Sequence, residues 1–245
     1  MSAVYESGKV LSEYLLFHFG SDSEVLPEEG HWPSGMKEAL GFAVRTPGWF
    51  SKVKAARGLD LGCAVGRSAF EMAANCEEVV GIDFSHAFIA AAETLRTGGT
   101  VGYERVEEGR QVTRLEARPP AGDVGARLIF RQGDAMALGD DLGTFDRVHA
   151  ANLLCRLPEP ERLLARFASL VRPGGELVLA TPCTWLEDFT PMGNWPEGET
   201  FDWLAKWLEP DFELVRRGEE PFLIRETARK FQWTRSMMTL WRRKE

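Results

Sequence analysis

Apolar residues recur along this chain with two periods that replace one another several times. Over 7–19, Val10, Leu11, Tyr14, Leu15 and Phe17 fall at largely helical spacing behind a polar Glu6-Ser7 pair, which predicts a covering helix. Residues 20–35 carry Gly20, Pro27, Gly30, Pro33 and Gly35 among acidic side chains and read as a loop. A short amphipathic segment over 36–44 then leads through Arg45-Thr46-Pro47-Gly48 to a series of short apolar runs. These runs, at 56–61, 78–84, 128–132, 144–151 and 176–181, predict strands. Helical patterns over 68–76, 87–95 and 158–171 lie between them, the last with proline at its start, and Arg172-Pro173-Gly174-Gly175 is a turn. Five strands with intervening helices predict an α/β, doubly wound sheet.

Two stretches depart from that rhythm. Residues 97–126 surround the polar alternation Val112-Thr113-Arg114-Leu115-Glu116-Ala117 with glycines and prolines, which predicts an inserted hairpin or excursion at the sheet edge. After a helix over about 201–208, residues 212–216 and 234–242 predict two closing strands, joined by a polar segment over 221–233. The organisation expected is an N-terminal helical cover or lid over 1–50, then one domain over 51–245 that carries the insertion.

Composition narrows the functions available. A chain of 245 residues suits one sizeable α/β domain, and a net charge of -8 with pI near 5.2 gives no basic field for a nucleic-acid backbone. Nothing approaches the ~20 apolar residues of a membrane span, and Met1-Ser2-Ala3-Val4-Tyr5-Glu6 has no signal-peptide pattern, so a cytoplasmic protein is expected. Cys63, Cys76, Cys155 and Cys183 are widely spaced with no C-x-x-C pair, and His18, His31, His86 and His149 are scattered. Free thiols are therefore expected, with no disulfide, no metal site and mostly structural histidines.

The candidate chemistry starts at Leu59-Asp60-Leu61-Gly62-Cys63-Ala64-Val65-Gly66-Arg67-Ser68, where a strand turns on two glycines into a helix. Glycines let a ligand approach the main chain, and the helix start presents unpaired N–H groups. The dinucleotide fingerprint spaces its glycines G-x-G-x-x-G, whereas Gly62, Ala64 and Gly66 stand at every second position behind Asp60. That spacing disfavours a nicotinamide oxidoreductase. It resembles the first motif of class I S-adenosylmethionine-dependent methyltransferases, with Ala64 for the middle glycine. Asp83 follows the turn by about 20 residues, where such folds hold a carboxylate for ribose hydroxyls. Asp83 also suits a helix-cap role, beside Ser85 as N-cap. Asp134, after the third strand, takes the place near the adenine that the resemblance implies, or is an ordinary turn aspartate. Asn152 and Arg156 emerge from the carboxyl end of the fourth strand, where ligands of open α/β sheets bind.

Over nearly its whole length the chain resembles a narrower family, the 4-mercaptohistidine N1-methyltransferases of ovothiol biosynthesis. Besides the glycine turn, the resemblance lies in Leu11-Ser12-Glu13-Tyr14-Leu15-Leu16-Phe17-His18, in Ala151-Asn152-Leu153-Leu154-Cys155-Arg156-Leu157-Pro158 and in 221–233. It implies a seven-stranded, Rossmann-like class I sheet and methyl transfer from S-adenosylmethionine, leaving S-adenosylhomocysteine. The acceptor implied is the ring nitrogen nearest the side chain of 5-thiohistidine, and the product is ovothiol A. The family often occurs as the C-terminal domain of a sulfoxide synthase. A free-standing version is expected here, linked functionally to a sulfoxide synthase and a lyase of the same pathway.

The cofactor set this implies is Asp60, Gly62, Cys63, Ala64, Gly66, Arg67, Asp83, Phe84, Ser85, Asp134, Ala135 and Asn152. Asn152 and Tyr14 are the candidate catalytic residues. For the acceptor, Arg225, Arg229 and Lys230 are candidate partners of its carboxylate and Glu226 of its ammonium, or else they form a charged strand edge. Tyr14, His18, Trp185 and Trp233 are candidate walls for the ring, or core packing. Arg45, Asn152 and Arg156 complete the acceptor set. A different small-molecule methyltransferase and a non-catalytic S-adenosylmethionine-binding module remain as alternatives.

Overall fold

Ser7 opens the first helix, its hydroxyl accepting the Val10 N–H, and α1 (Gly8–Phe19) ends at Gly20 with Leu15 and Leu16 buried. The computed structural model describes residues 3–122 and 124–245. Met1, Ser2 and Asp123, which belong to the predicted cover and insertion, lie outside the described residues. The predicted loop after α1 contains a short helix, α2 (Asp22–Val25), closed by a Ser21/Glu24 capping box that is legible in the sequence as S-x-x-E. The predicted 36–44 segment is not one helix. Gly41 at φ 68 breaks it, leaving a 3-10 turn over Lys37–Ala39 and α3 (Phe42–Arg45), followed by a second 3-10 turn, Thr46–Trp49.

The sheet then starts with β1 (Ala55–Leu61), α4 (Arg67–Ala73), β2 (Cys76–Asp83) and α5 (His86–Arg96). The insertion is a hairpin of β3 (Val101–Glu108) and β4 (Gln111–Ala117), but it forms its own two-stranded sheet instead of joining the main edge. β5 (Leu128–Gln132) and β6 (Phe145–Ala151) follow. The predicted single helix over 158–171 is two short ones, α6 (Pro160–Leu164) and α7 (Phe167–Leu170). β7 (Val171–Thr181) takes in the predicted turn as an irregular start, with Gly174 at φ 72. α8 (Thr200–Leu208) precedes β8 (Phe212–Arg225) and β9 (Phe231–Arg243).

Seven strands lie in the order β5-β2-β1-β6-β7-β9-β8. The first five are mutually parallel, and β9 and β8 close the sheet antiparallel. This is the seven-stranded, Rossmann-like class I architecture expected. Alternation along the strands divides the core: Leu177 and Leu179 pack with α6–α8, while Val178 and Ala180 pack with α1, α4 and α5. Both faces are covered, as a parallel sheet requires.

The last two strands are much longer than predicted. They pair from Phe212↔Arg243 to Arg225↔Phe231, so only Glu226–Lys230 remains as connection. Because β9 meets β7 only up to Met237↔Thr181, the outer part of this ribbon projects past the carboxyl ends of the parallel strands. The inserted hairpin braces it, with the Ala228 N–H donating to the Glu107 carbonyl at 3.1 Å. No helix among the described residues is long and apolar enough to cross a membrane. The four cysteines are free thiols, three of them buried.

Candidate active site

The carboxyl ends of the parallel strands, the N-terminal cover and the projecting ribbon enclose a cavity of about 500 Å³. Its floor is the turn after β1. Gly62 has φ 67 and Gly66 φ 91, and a Cβ at Gly62 would stand 3.0 Å from the Leu153 side chain. Ala64 adopts φ 48 despite its Cβ, a strain typical of functional turns. The turn is fastened sideways, since the Gly62 and Cys63 N–H groups donate to the Ile82 carbonyl at 2.8 and 3.1 Å.

Asp83, at the end of β2, ties the turn to the next helix. Its Oδ2 accepts the Ala64 N–H and its Oδ1 the Ser85 N–H, both at 2.9 Å. Burial pushes its carboxyl up to about 6, against the pull of those two donors. Asp60 is 1 % exposed, with Oδ1 on His149 Nδ1 at 2.7 Å and Oδ2 buried without a partner. Burial also pushes the Cys63 thiol well up, which makes it an inert lining group.

Above this floor α1 contributes Tyr14 and His18, whose rings stack at 5.8 Å. Burial lowers His18 to about 3, with Arg67 adding to the effect, so the imidazole is neutral at pH 7. Its Nδ1 is buried and unpartnered. Burial raises the Tyr14 phenol, which keeps its proton. Asn152, just past β6, stands at φ 54, a conformation asparagine tolerates better than most residues. Ser236 Oγ donates to Asn152 Oδ1 at 2.7 Å, which fixes the amide. Arg156 lines the same wall, its guanidinium 4.7 Å over the Phe189 ring.

Of the residues singled out in the sequence, the cavity brings together Tyr14, His18, Asp60, Gly62, Cys63, Ala64, Asp83, Phe84, Ser85, Ala135, Asn152 and Arg156. Gly66 caps α4 behind the turn. Arg67 pairs with Glu71 at 2.8 Å, and Asp134 accepts the Met136 N–H between the lining residues Gly133 and Ala135. Neither Arg67 nor Asp134 lines the cavity.

Seven of the proposed acceptor contacts are corrected. Arg225 is buried, 2.7 Å from Glu107, and it also donates to the Glu24 and Val25 carbonyls, so its guanidinium is committed to the fold. Glu226 holds Lys230 at 2.6 Å and Gln232 at 2.7 Å, and Arg229 is exposed. These residues lie at the ribbon's tip because β8 and β9 keep pairing to Arg225, which carries the charged cluster beyond the cavity. Arg45 is spent on Glu220 and the Leu40 and Pro221 carbonyls. Trp185 donates to Thr200 at 3.1 Å and packs on Trp203, and Trp233 donates to the Gly35 carbonyl at 3.1 Å. What sequence reasoning missed is Tyr5, Glu13, Phe17, Phe222, Ile224 and Thr234 as lining residues. Glu13 carried a signal, as a carboxylate beside Tyr14 in the 11–18 segment, paired with Lys9 one turn back at 3.7 Å.

A family model described as "Methyltransferase domain" matches residues 36–233. The chain is 32 % identical over 122 residues to 27-O-demethylrifamycin SV methyltransferase of Amycolatopsis mediterranei (strain S699), covering 49 % of this chain and 36 % of that protein. It is 34 % identical over 125 residues to phosphatidylethanolamine N-methyltransferase of Cereibacter sphaeroides, covering 50 % and 49 %. With ubiquinone biosynthesis O-methyltransferase of Alkalilimnicola ehrlichii it shares 30 % identity over 177 residues, 68 % of this chain and 60 % of that one. The chain thus spans between about a third and three fifths of the length of these relatives. Among solved structures, the N-methyltransferase NodS of Bradyrhizobium japonicum WM9 in complex with S-adenosyl-L-homocysteine superposes with a TM-score of 0.57, at 15 % identity, covering 96 % and 99 %.

Proposed function

The chain belongs to the methyltransferase domain family, and on that premise we propose that it uses S-adenosylmethionine and that its acceptor is 5-thiohistidine. In this reading the methyl goes to the ring nitrogen nearest the side chain, giving ovothiol A. The observation that carries it is the α1 wall. Residues 11–18 lie outside the generic cofactor motifs, and Tyr14 and His18 from that segment face the cavity beside Asn152.

The floor suits the cofactor: turn glycines at φ 67 and 91, the Asp83 carboxyl for ribose hydroxyls, and an unfilled oxygen on Asp60. Bound S-adenosylmethionine supplies a methyl already activated by its sulfonium. The residues of this chain then have to hold the acceptor in line and keep water away. A neutral imidazole nitrogen has a free lone pair, so the site needs no strong base. Asn152, fixed through Oδ1 by Ser236, keeps its NH₂ donors to orient the ring. His18 Nδ1 is a second polar contact for it.

With Arg225 committed to the fold, the reading assigns the acceptor's carboxylate to Arg156 and its ammonium to Glu13, both of which line the cavity. Burial raises the Glu13 carboxyl, Lys9 at 3.7 Å offsets part of that, and an ammonium in the cavity would add to the offset. The acceptor must come from reactions that install sulfur on a histidine ring, the chemistry of a sulfoxide synthase and a lyase. A second reading, another small imidazole or thiol acceptor, draws support from the apolar walls that Phe17, Phe42 and Phe222 add to the cavity.

The test is methyl transfer to histidine, 5-thiohistidine and related imidazoles, read by mass and NMR. Turnover of 5-thiohistidine with the methyl on the near nitrogen is expected. Asn152→Ala should lower kcat or release S-methyl product, because the ring is then free to present its more nucleophilic sulfur. A methyl on sulfur from the unaltered enzyme, or equal turnover of histidine, would overturn the assignment. No turnover of any of them, with cofactor still bound, would point to a binding module.

A further inference from the structure

The central strands carry a buried polar chain, of which the reading above uses only the Asp60 carboxyl. Asp60 on β1 and His149 on β6 are register partners, and both point away from the face where Leu59, Leu61, Val148 and Ala150 pack. Asp60 Oδ1 meets His149 Nδ1 at 2.7 Å, and His149 Nε2 meets Thr46 Oγ1 at 3.1 Å. Thr46, His149 and Asp60 are 0, 1 and 1 % exposed. Asp60 and His149 line the cavity, whereas Thr46 belongs to the 3-10 turn of the N-terminal cover.

Hydrogen-bond direction follows from the donors available. A carboxylate only accepts, so Nδ1–H donates to Asp60, and an Nε2 lone pair then takes the Thr46 O–H. All three groups are then satisfied except one atom, Asp60 Oδ2, which has no partner among the described residues. A buried carboxylate oxygen left unfilled is costly, and a charged donor offsets that cost best. The cavity's only lining guanidinium among the described residues, Arg156, donates to the Cys155 and Thr184 carbonyls and not to Asp60.

We propose that His149, held in one tautomer by Thr46, is a positioning residue that locks the Asp60 carboxylate with Oδ2 turned to the ammonium of the cofactor's amino-acid tail. The proposal rests on reading the cavity floor as the cofactor site. It makes the cover part of cofactor recognition, through Thr46, without any cover residue touching the tail.

Two ligands separate the effects in calorimetry: S-adenosylhomocysteine, which has the tail, and 5′-methylthioadenosine, which lacks it. Thr46→Val, nearly isosteric, should weaken S-adenosylhomocysteine about 5- to 20-fold, leave methylthioadenosine within about twofold, and be rescued by Thr46→Ser. In ¹⁵N NMR of the unaltered protein the His149 ring should show the Nδ1–H tautomer, and Thr46→Val should mix in the other. Equal weakening of both ligands in a folded variant, weakening of neither, or an Nε2–H tautomer in the unaltered protein would overturn the proposal. The NMR result stands even if Thr46→Val fails to fold. Asp83→Ala reports separately on the floor: it should weaken both ligands, since both carry the ribose. If it weakens neither, the placement of the cofactor fails, whatever Thr46→Val does.

Discussion

Replacing Asp83 by alanine is expected to cost S-adenosylmethionine binding about 1 to 3 kcal/mol, roughly 5- to 150-fold in affinity. The buried ribose hydroxyls would lose a charged acceptor, and the turn would lose the anchor that Asp83 Oδ2 gives the Ala64 N–H. The pH dependence makes the prediction specific. Burial places the Asp83 carboxyl at about 6, with Asp60 and Glu6 pushing the same way and the Ser85 and Ala64 N–H groups opposing. Ribose hydroxyl donors favour the ionised form, so affinity should rise as pH climbs through 6 and level off above it.

Stability of the free protein has the opposite sign. A carboxyl raised by folding binds its proton more tightly in the native state, so its stabilising contribution is full below the unfolded value near 4 and is lost as pH rises through 6. Proton release on binding near pH 6, read by calorimetry in buffers of different ionisation enthalpy, checks the first half, and thermal unfolding against pH checks the second. Asp83→Asn should flatten both profiles. A profile unchanged in that variant would show that another group titrates.

The second large effect falls on stability. Arg225→Ala should lower unfolding free energy by about 2 to 4 kcal/mol, because it leaves Glu107 without its buried partner and takes the side-chain donor from the Val25 and Thr227 carbonyls, while Arg105 still donates to the Glu24 carbonyl. The discount from a fully buried pair reflects Glu107, whose side chain is 21 % exposed and still bonded to Arg105 and Thr113. Denaturant unfolding should show the midpoint falling, while cofactor affinity of the folded fraction stays within about threefold, a small effect on the scale of 1.4 kcal/mol per tenfold. A variant as stable as the parent, with the acceptor's KM raised, would return Arg225 to the role first read from its sequence.

Arg225 marks a boundary in what residue order discloses. A basic, polar segment over 221–233 looks like a ligand-reading loop, because polar alternation suits an exposed strand and a binding loop equally. Only the cross-strand pairing, which shifts once between Leu214 and Arg216 and continues to Arg225, places these charges on a ribbon tip. The two-strand closure and the inserted hairpin were legible, but which surface the hairpin packs on was not. That depends on Glu107 finding Arg225, 118 positions away.

The sequence by itself determined what local chemistry dictates. Five apolar runs spaced by helical patterns admit few arrangements other than a parallel sheet with both faces covered, and the glycines at 62 and 66 mark a turn that must leave the allowed region of other residues. Asp60, Asp83, Asn152 and Arg156 were legible as residues that would line the cavity, because each follows or ends a predicted parallel strand, and the carboxyl ends of such strands converge. Tertiary structure alone decided which distant groups share that space. His149 looked like one more scattered histidine until the β1–β6 register set it against Asp60 and the cover laid Thr46 on its other nitrogen. Glu13, Phe222 and Thr234 likewise reach the cavity through the packing of α1 and the reach of the ribbon. Periodicity tells which side of an element is buried, whereas the partner it meets there follows from the closure of the whole chain.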